Sequence, residues 1–340
     1  MVDVAARARV SLKTVSRVVN REPRVAGATA ARVQAAIDAL GFRRHEGASH
    51  LRRGSTTASL GLVLMDVGDP FYSTLARAVE EVAVRHRFLV LAGSSDESPA
   101  RERDLALALC ARRVDGLLIV PTGRDQAYLA AEVAAGTPVV FVDRPGVGLR
   151  ADAVLVDNAG GVRAAVAHLA GHGHRRIGFL GDAPAIYTAR ERLRGYREGM
   201  AALRGAADPA LVAMGPHGPD SVRTALDRFR QASPPVTAIV TGNNRITLLV
   251  LRALARARRW RPALVGFDDL ELADLVHPAL TVIEQDAAGL GRTAAELLFA
   301  RLAGDRRAVE RIVLPTRLVA RGSGEQPGPS APRGRRPRGR

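Results

Sequence analysis

Val4-Ala5-Ala6-Arg7-Ala8-Arg9-Val10-Ser11-Leu12-Lys13-Thr14-Val15-Ser16-Arg17-Val18-Val19-Asn20 decides how the first part of the chain is read. The spacing of small and apolar residues predicts one helix over residues 2–8 and a second over 12–20, with a tight turn between them. A third helix is predicted over 28–40. Val15, Val18, Val33, Ile37 and Leu40 recur at the interval that lets three short helices share a core. Ser11 stands where its hydroxyl takes up an orphan amide at the start of the second helix. Leu12, Lys13 and Ser16 then project from one side of that helix's N-terminal end, the end that enters the major groove in a helix-turn-helix. Arg17 carries two parallel donors that match guanine O6 and N7, a contact worth about 1–3 kcal/mol of discrimination. An ordinary helical hairpin satisfies the same geometry, and spacing alone does not separate the two.

The charge distribution bears on that choice. The net charge is +16, of which residues 1–57 carry +7 and residues 321–340 carry +5, leaving +4 for everything between. A basic head on a near-neutral body points to a polyanionic partner, with a solvated basic face as the alternative. A single cysteine, Cys110, forms no internal disulfide and suits a reducing compartment. No apolar run approaches the roughly 18 residues of a membrane span, and no secretory signal pattern is read, so no membrane contact and a cytoplasmic location are expected.

From Ser59 onward the pattern changes. Strands are predicted near 60–65, 88–91, 116–120, 139–142, 153–156, 177–180, 238–240, 263–265 and 281–283, with helical stretches between most of them. Apolar strands alternating with amphipathic helices imply an α/β body of doubly wound parallel sheets covered on both faces. About 260 residues of such pattern exceed one comfortable core, so two lobes are expected. The tail beyond Arg321, rich in Gly, Pro and Arg, reads as disordered.

Ser11 to Asn20 resembles the recognition helix of the LacI/GalR (lactose-repressor) family, Asp3-Val4-Ala5 its first helix, and Gly41-Phe42 the close of its head. Asp69-Pro70-Phe71-Tyr72, Arg113-Val114-Asp115-Gly116, Val156-Asp157-Asn158, Thr188-Ala189-Arg190-Glu191-Arg192 and Gly266-Phe267-Asp268-Asp269 extend the resemblance, in order, to about residue 320. It implies a ligand-responsive repressor that binds double-stranded operator DNA, a pseudo-palindrome, as a homodimer. It implies a helix-turn-helix head over 1–44, a hinge helix and linker over 45–57, and a periplasmic-binding-protein-like (type I) body. In that body the N-terminal lobe would take 58–158 plus 287–320 and the C-terminal lobe 159–286. Ser11, Leu12, Lys13, Thr14, Ser16, Arg17 and Asn20 would face DNA, and Leu51 of the hinge would wedge into the minor groove. Packing of Leu51 on the body is the alternative.

Several positions depart from the family pattern. Arg9 stands where the turn favours glycine, Ala26 where a Ser or Thr caps the third helix, Arg44-His45 in place of Pro-Asn, and Gly47 within the hinge.

The resemblance also implies an effector cleft, with a sugar or related small metabolite as first choice and a nucleobase as second. Phe71 and Tyr72 would stack on the ligand, Arg192 would fork onto its hydroxyls or a carboxylate, and Asp268 would accept two hydroxyls. Asp157, Thr188, His217, Asn243 and Gln285 would add further contacts. Phe71 and Tyr72 as helix-start core residues, Asp157 and Asn158 as helix caps, and Arg192 in an ion pair within one lobe are the alternatives.

Two other functions share parts of this pattern. An NAD-dependent enzyme would need a Gly-x-Gly-x-x-Gly turn after the first body strand, and none is present. His168, His172 and His174 have metal-like spacing but sit on a helix end and a loop. No catalytic residue, cofactor or metal is therefore expected. A solute-binding protein would need an export signal and no basic head.

Overall fold

In the computed structural model, all residues are described except 20, 21, 23, 24, 43–55, 124, 204–207, 257–259 and 331–340. The chain divides into two compact units, Met1–Thr57 and Ala58–Arg340.

The first unit holds three helices, α1 (Val2–Ala8), α2 (Leu12–Val19) and α3 (Gly27–Ala39). Val4, Ala5, Ala8, Val15, Val33 and Ala36 form its core, with Val18, Ile37 and Phe42 packed against them. Leu40, expected in that core, is 42% exposed. The chain turns at Gly41 in a left-handed conformation (φ 56°), and the Phe42 amide reaches back to the Ile37 carbonyl at 3.0 Å, so the Phe42 ring takes the inward place. The turn after α1 is closed by Arg9 at φ 50°, ψ 53°. A left-handed non-glycine residue costs about 1–2 kcal/mol. Arg9→Gly is therefore expected to stabilise the head by about 1 kcal/mol, measurable as a higher melting temperature in calorimetry of the full chain.

The second unit contains two six-stranded sheets. The first has the order β2 (Leu89–Ser94), β1 (Ser59–Leu64), β3 (Gly116–Ile119), β4 (Val139–Val142), β5 (Asp152–Val156), β11 (Arg311–Leu314), all parallel. Helices α4 (Pro70–Arg85), α5 (Pro99–Ala111), α6 (Ala130–Ala134) and α11 (Ala287–Leu302) accompany it. The second sheet runs β7 (Val212–Met214), β6 (Ile177–Gly181), β8 (Ala238–Thr241), β9 (Ala263–Phe267), β10 (Thr281–Gln285), β12 (Thr316–Val319). It is parallel except for β12, which runs against β10. Its helices are α7 (Asn158–Gly171), α8 (Tyr187–Ala202), α9 (Pro219–Gln231) and α10 (Asn244–Arg256). Each sheet carries an apolar layer on both faces, which is why its strands read as near-continuous Val, Leu and Ile runs.

Two glycines set how closely helices pack. A methyl group at Gly195 on α8 would lie 2.3 Å from the Ala159 carbonyl oxygen on α7, and one at Gly291 on α11 would lie 2.4 Å from that of Leu75 on α4. Backbone cannot yield as a flexible side chain can. Gly195→Ala is expected to cost about 1–3 kcal/mol, read as a lower urea midpoint with unchanged m.

The chain passes between lobes three times, after β5, after β10 and between β11 and β12. The return to the first lobe, expected over 287–320, thus ends at β11, because β12 hydrogen-bonds to β10 in the second sheet.

Residues 321–330, expected to be disordered, pack on the second lobe. The Ser323 hydroxyl accepts the Thr281 amide at 2.8 Å and donates to the Leu264 carbonyl at 2.6 Å. Glu325 accepts from the Thr281 hydroxyl at 2.7 Å and meets His168 Nε2 at 2.5 Å. His174 Nε2 lies 2.9 Å from the Gln326 carbonyl. A polar irregular segment can be held by satisfied buried hydrogen bonds where apolar area is lacking. His168 and His174, two of the three histidines with metal-like spacing, serve this anchoring, while His172 Nδ1 lies 2.9 Å from the His168 carbonyl. Among the described residues no helix is long and apolar enough to cross a membrane.

Candidate functional site

In the head, the Ser11 hydroxyl accepts the Thr14 amide at 3.2 Å and lies 2.9 Å from the Thr14 hydroxyl, which caps α2. Val15 is fully buried and fixes the rotation of α2. Leu12 is left 50% exposed and Lys13 exposed beside it, while Ser16 and Arg17 are half-buried. Arg17 Nε is 3.8 Å from a Glu22 carboxylate oxygen, a loose pair with both side chains about 40% exposed. Such a pair holds the guanidinium weakly and leaves it available to a stronger anion. Ala26 precedes α3 without a side-chain cap bond. Asn20, Leu51 and the proposed hinge helix lie outside the described residues.

In the body, parallel strands of both sheets end on one cavity of about 320 Å³. Ligand clefts in open α/β sheets form at these carboxyl ends. Of the nine residues proposed for the effector, Phe71, Tyr72, Thr188, Arg192, His217, Asn243, Asp268 and Gln285 line this cavity.

Asp157 does not. It is exposed, and its carboxylate accepts the Gly160 amide at 2.7 Å as the cap of α7. Its neighbour Asn158 is buried and accepts from Arg192 Nε at 2.7 Å. Arg192 also donates to the Gly242 carbonyl at 2.5 Å, and its guanidinium lies 3.8 Å from the Phe267 ring centroid. This places one cation at a fixed spot on the cavity wall.

Tyr72 is not free to stack. It is buried, its ring meets Phe71 edge-on at 5.0 Å, and its hydroxyl donates to Asp143 at 3.1 Å. Burial, and then the Asp143 charge, push the Tyr72 phenol well above its ordinary value. Phe71, half-buried, is the aromatic residue left to face a ligand from this pair.

Asp268 sits in a left-handed conformation at φ 71°, accepts the Asn244 amide at 3.2 Å and accepts from Gln285 Nε2. Burial raises the carboxyls of Asp268 and Asp143, with Arg192 opposing in both and Arg144 opposing in Asp143. A raised folded-state value favours the protonated form. Each group therefore stabilises the ligand-free fold at low pH and withdraws that contribution as pH rises through its raised value.

Several lining residues escaped the sequence reading: Asp69, Glu97, Asp143, Arg144, Asn244 and Arg245. Asn244 Nδ2 donates to Asp69 at 2.9 Å across the two lobes, and Arg245 donates to Asp66 at 2.5 Å. Asp69 is at once the cap of α4, accepting the Phe71 amide at 3.0 Å. Arg144 pairs with Glu97 through both terminal nitrogens. A single signal would have found these residues: each lies just past the end of an apolar strand, where a charge is costly unless the chain has reached a cleft.

Residues 1–45 match the family described as bacterial regulatory proteins, lacI family, and residues 166–324 match the periplasmic binding protein-like domain. The HTH-type transcriptional regulator CelR of Thermobifida fusca is 33% identical over 94% of this chain and 97% of its own. Among solved structures, the transcriptional regulator CelR–cellobiose complex aligns with a TM-score of 0.70 at 31% identity, covering 94% of this chain and 98% of that one. The lac repressor dimer bound to operator and the anti-inducer ONPF aligns with a TM-score of 0.82 at 25% identity, covering 96% of this chain and 98% of that one. With a three-helix head, two lobes around one cavity and similarity running almost end to end, the chain belongs to the lacI family of bacterial regulatory proteins.

Proposed function

We propose that this protein is a cytoplasmic transcriptional repressor that binds a pseudo-palindromic operator as a homodimer and answers to a sugar or related small metabolite held between its lobes. The observation that carries the reading is the end-to-end similarity to a regulator whose solved relative holds cellobiose, in a chain with a head of the same family and a polar cavity of its own. No catalytic residue enters the proposal.

The head supplies recognition. Lys13 and Arg17 on α2 face the duplex, Arg17 toward a guanine edge, and the +7 charge of residues 1–57 adds affinity that weakens with salt.

The cavity supplies control. Asp69 of the first lobe, Asn244 of the second, Asp268 and Gln285 form one hydrogen-bonded chain. A ligand that engages Asp268 and Gln285 therefore acts, through Asn244, on one of the bonds that join the lobes. It shifts operator affinity only by its differential affinity for the two lobe arrangements, typically about 1–3 kcal/mol.

Selection of duplexes from a random pool by the full-length protein is expected to recover a two-fold-related site and a matching footprint. Absence of any sequence preference at moderate ionic strength, with and without sugars, overturns the proposal.

A further inference from the structure

The charges around the cavity do not balance, and the imbalance bears on what enters it. Arg144 is matched by Glu97, and Arg245 by Asp66 and by Asp69 at 3.6 Å. Asp182 accepts from Asn243 Nδ2 at 3.1 Å and from the Ala183 amide at 2.7 Å. Asp143 has Arg144 Nε, itself without a hydrogen-bond partner, at 3.5 Å, and with Asp69, Glu97, Asp182 and Asp268 it makes five carboxyl groups on the lining against three guanidiniums, Arg144, Arg192 and Arg245. The acceptors in this part of the cavity are also incomplete. Asp143 Oδ1 and Gln285 Oε1 are buried without a hydrogen-bond partner, and both residues are at least nine-tenths buried. Buried acceptors of this kind await donors.

We infer that the effector is an uncharged polyhydroxyl compound and that Asp143 is the residue that rejects its carboxylated and phosphorylated analogues. A ligand hydroxyl brings a proton to Asp143 Oδ1 or Gln285 Oε1 and adds no charge. An ionised carboxylate or phosphoryl group brings no proton and adds negative charge to a lining whose five carboxyl groups already outnumber its three guanidiniums. The inference deepens the reading of this cavity as an effector site and rests on it.

Calorimetric titration of the full-length protein at pH 7.5 tests it with matched sets: glucose, galactose and mannose, each beside its uronate and its 6-phosphate, with cellobiose and free nucleobases alongside. In any set that binds, the neutral sugar is expected to be tighter than its anionic partners by about tenfold or more. Asp143→Asn is expected to shrink that ratio to about threefold or less. An anion that binds tightest, or an undiminished ratio in the asparagine variant, overturns the inference and leaves the sugar reading standing. If no sugar of any charge binds, both fall; nucleobase binding alone would identify the replacement.

Discussion

Replacing Arg192 with alanine is expected to abolish effector binding and to destabilise the body by about 3–5 kcal/mol, the range for removing one partner of a buried charged network. The side chain is buried and reaches three groups at once: Asn158 Oδ1, the Gly242 carbonyl and the face of Phe267. Its loss strands two acceptors, each worth about 1–3 kcal/mol when left unsatisfied and buried. It also removes the positive charge that opposes the raised values of Asp143 and Asp268. Both carboxyls then rise further, so the deficit relative to the natural protein grows as pH climbs through them. Arg192→Lys restores charge without the planar pair of donors and is expected to recover only part of the stability. Urea unfolding across pH and titration with a bound sugar measure the two effects. Wild-type affinity in a folded alanine variant would remove Arg192 from the site.

Arg17→Ala carries the second large effect, and it falls on DNA rather than on the fold. The pair with Glu22 is exposed and 3.8 Å long, so its loss costs at most about 1 kcal/mol of stability. A two-pronged contact to guanine is worth about 1–3 kcal/mol. A dimer uses it twice, so operator affinity is expected to fall by roughly 10²- to 10⁴-fold, with effector affinity unchanged. The two possible roles of Arg17 leave different signatures. Loss of a base contact relaxes specificity at one position of each half-site. Loss of a phosphate contact weakens all duplexes alike and lowers the salt dependence. A normal footprint at normal affinity would show that Arg17 does not reach the operator.

The head was legible because its signals are local. Val15 had to turn inward by helical spacing, and once it did, Leu12 and Lys13 had to face out. The strained turn at Arg9 and the bare cap at Ala26 were likewise visible in residue type and observed in the backbone. Short edge strands were harder to read. β7, β11 and β12 are three or four residues long and only partly buried, so they lack the apolar run that marks the central strands. The segment 321–330 was misread for a related reason. Its order comes from hydrogen bonds to His168, His174 and Thr281, far away in the chain, and composition does not register them.

The amino-acid order alone determined which segments become helices and central strands, because periodic burial is a property of neighbours along the chain. Through the family resemblance it also named eight of the residues that line the cavity. Only the tertiary structure decided their employment: Asp157 to cap a helix, Tyr72 to hold Asp143, Asn158 to hold Arg192. The reason is that a polar side chain at a strand end takes whichever partner the fold brings within about 3 Å. For Asp69 that partner is Asn244, 175 residues away.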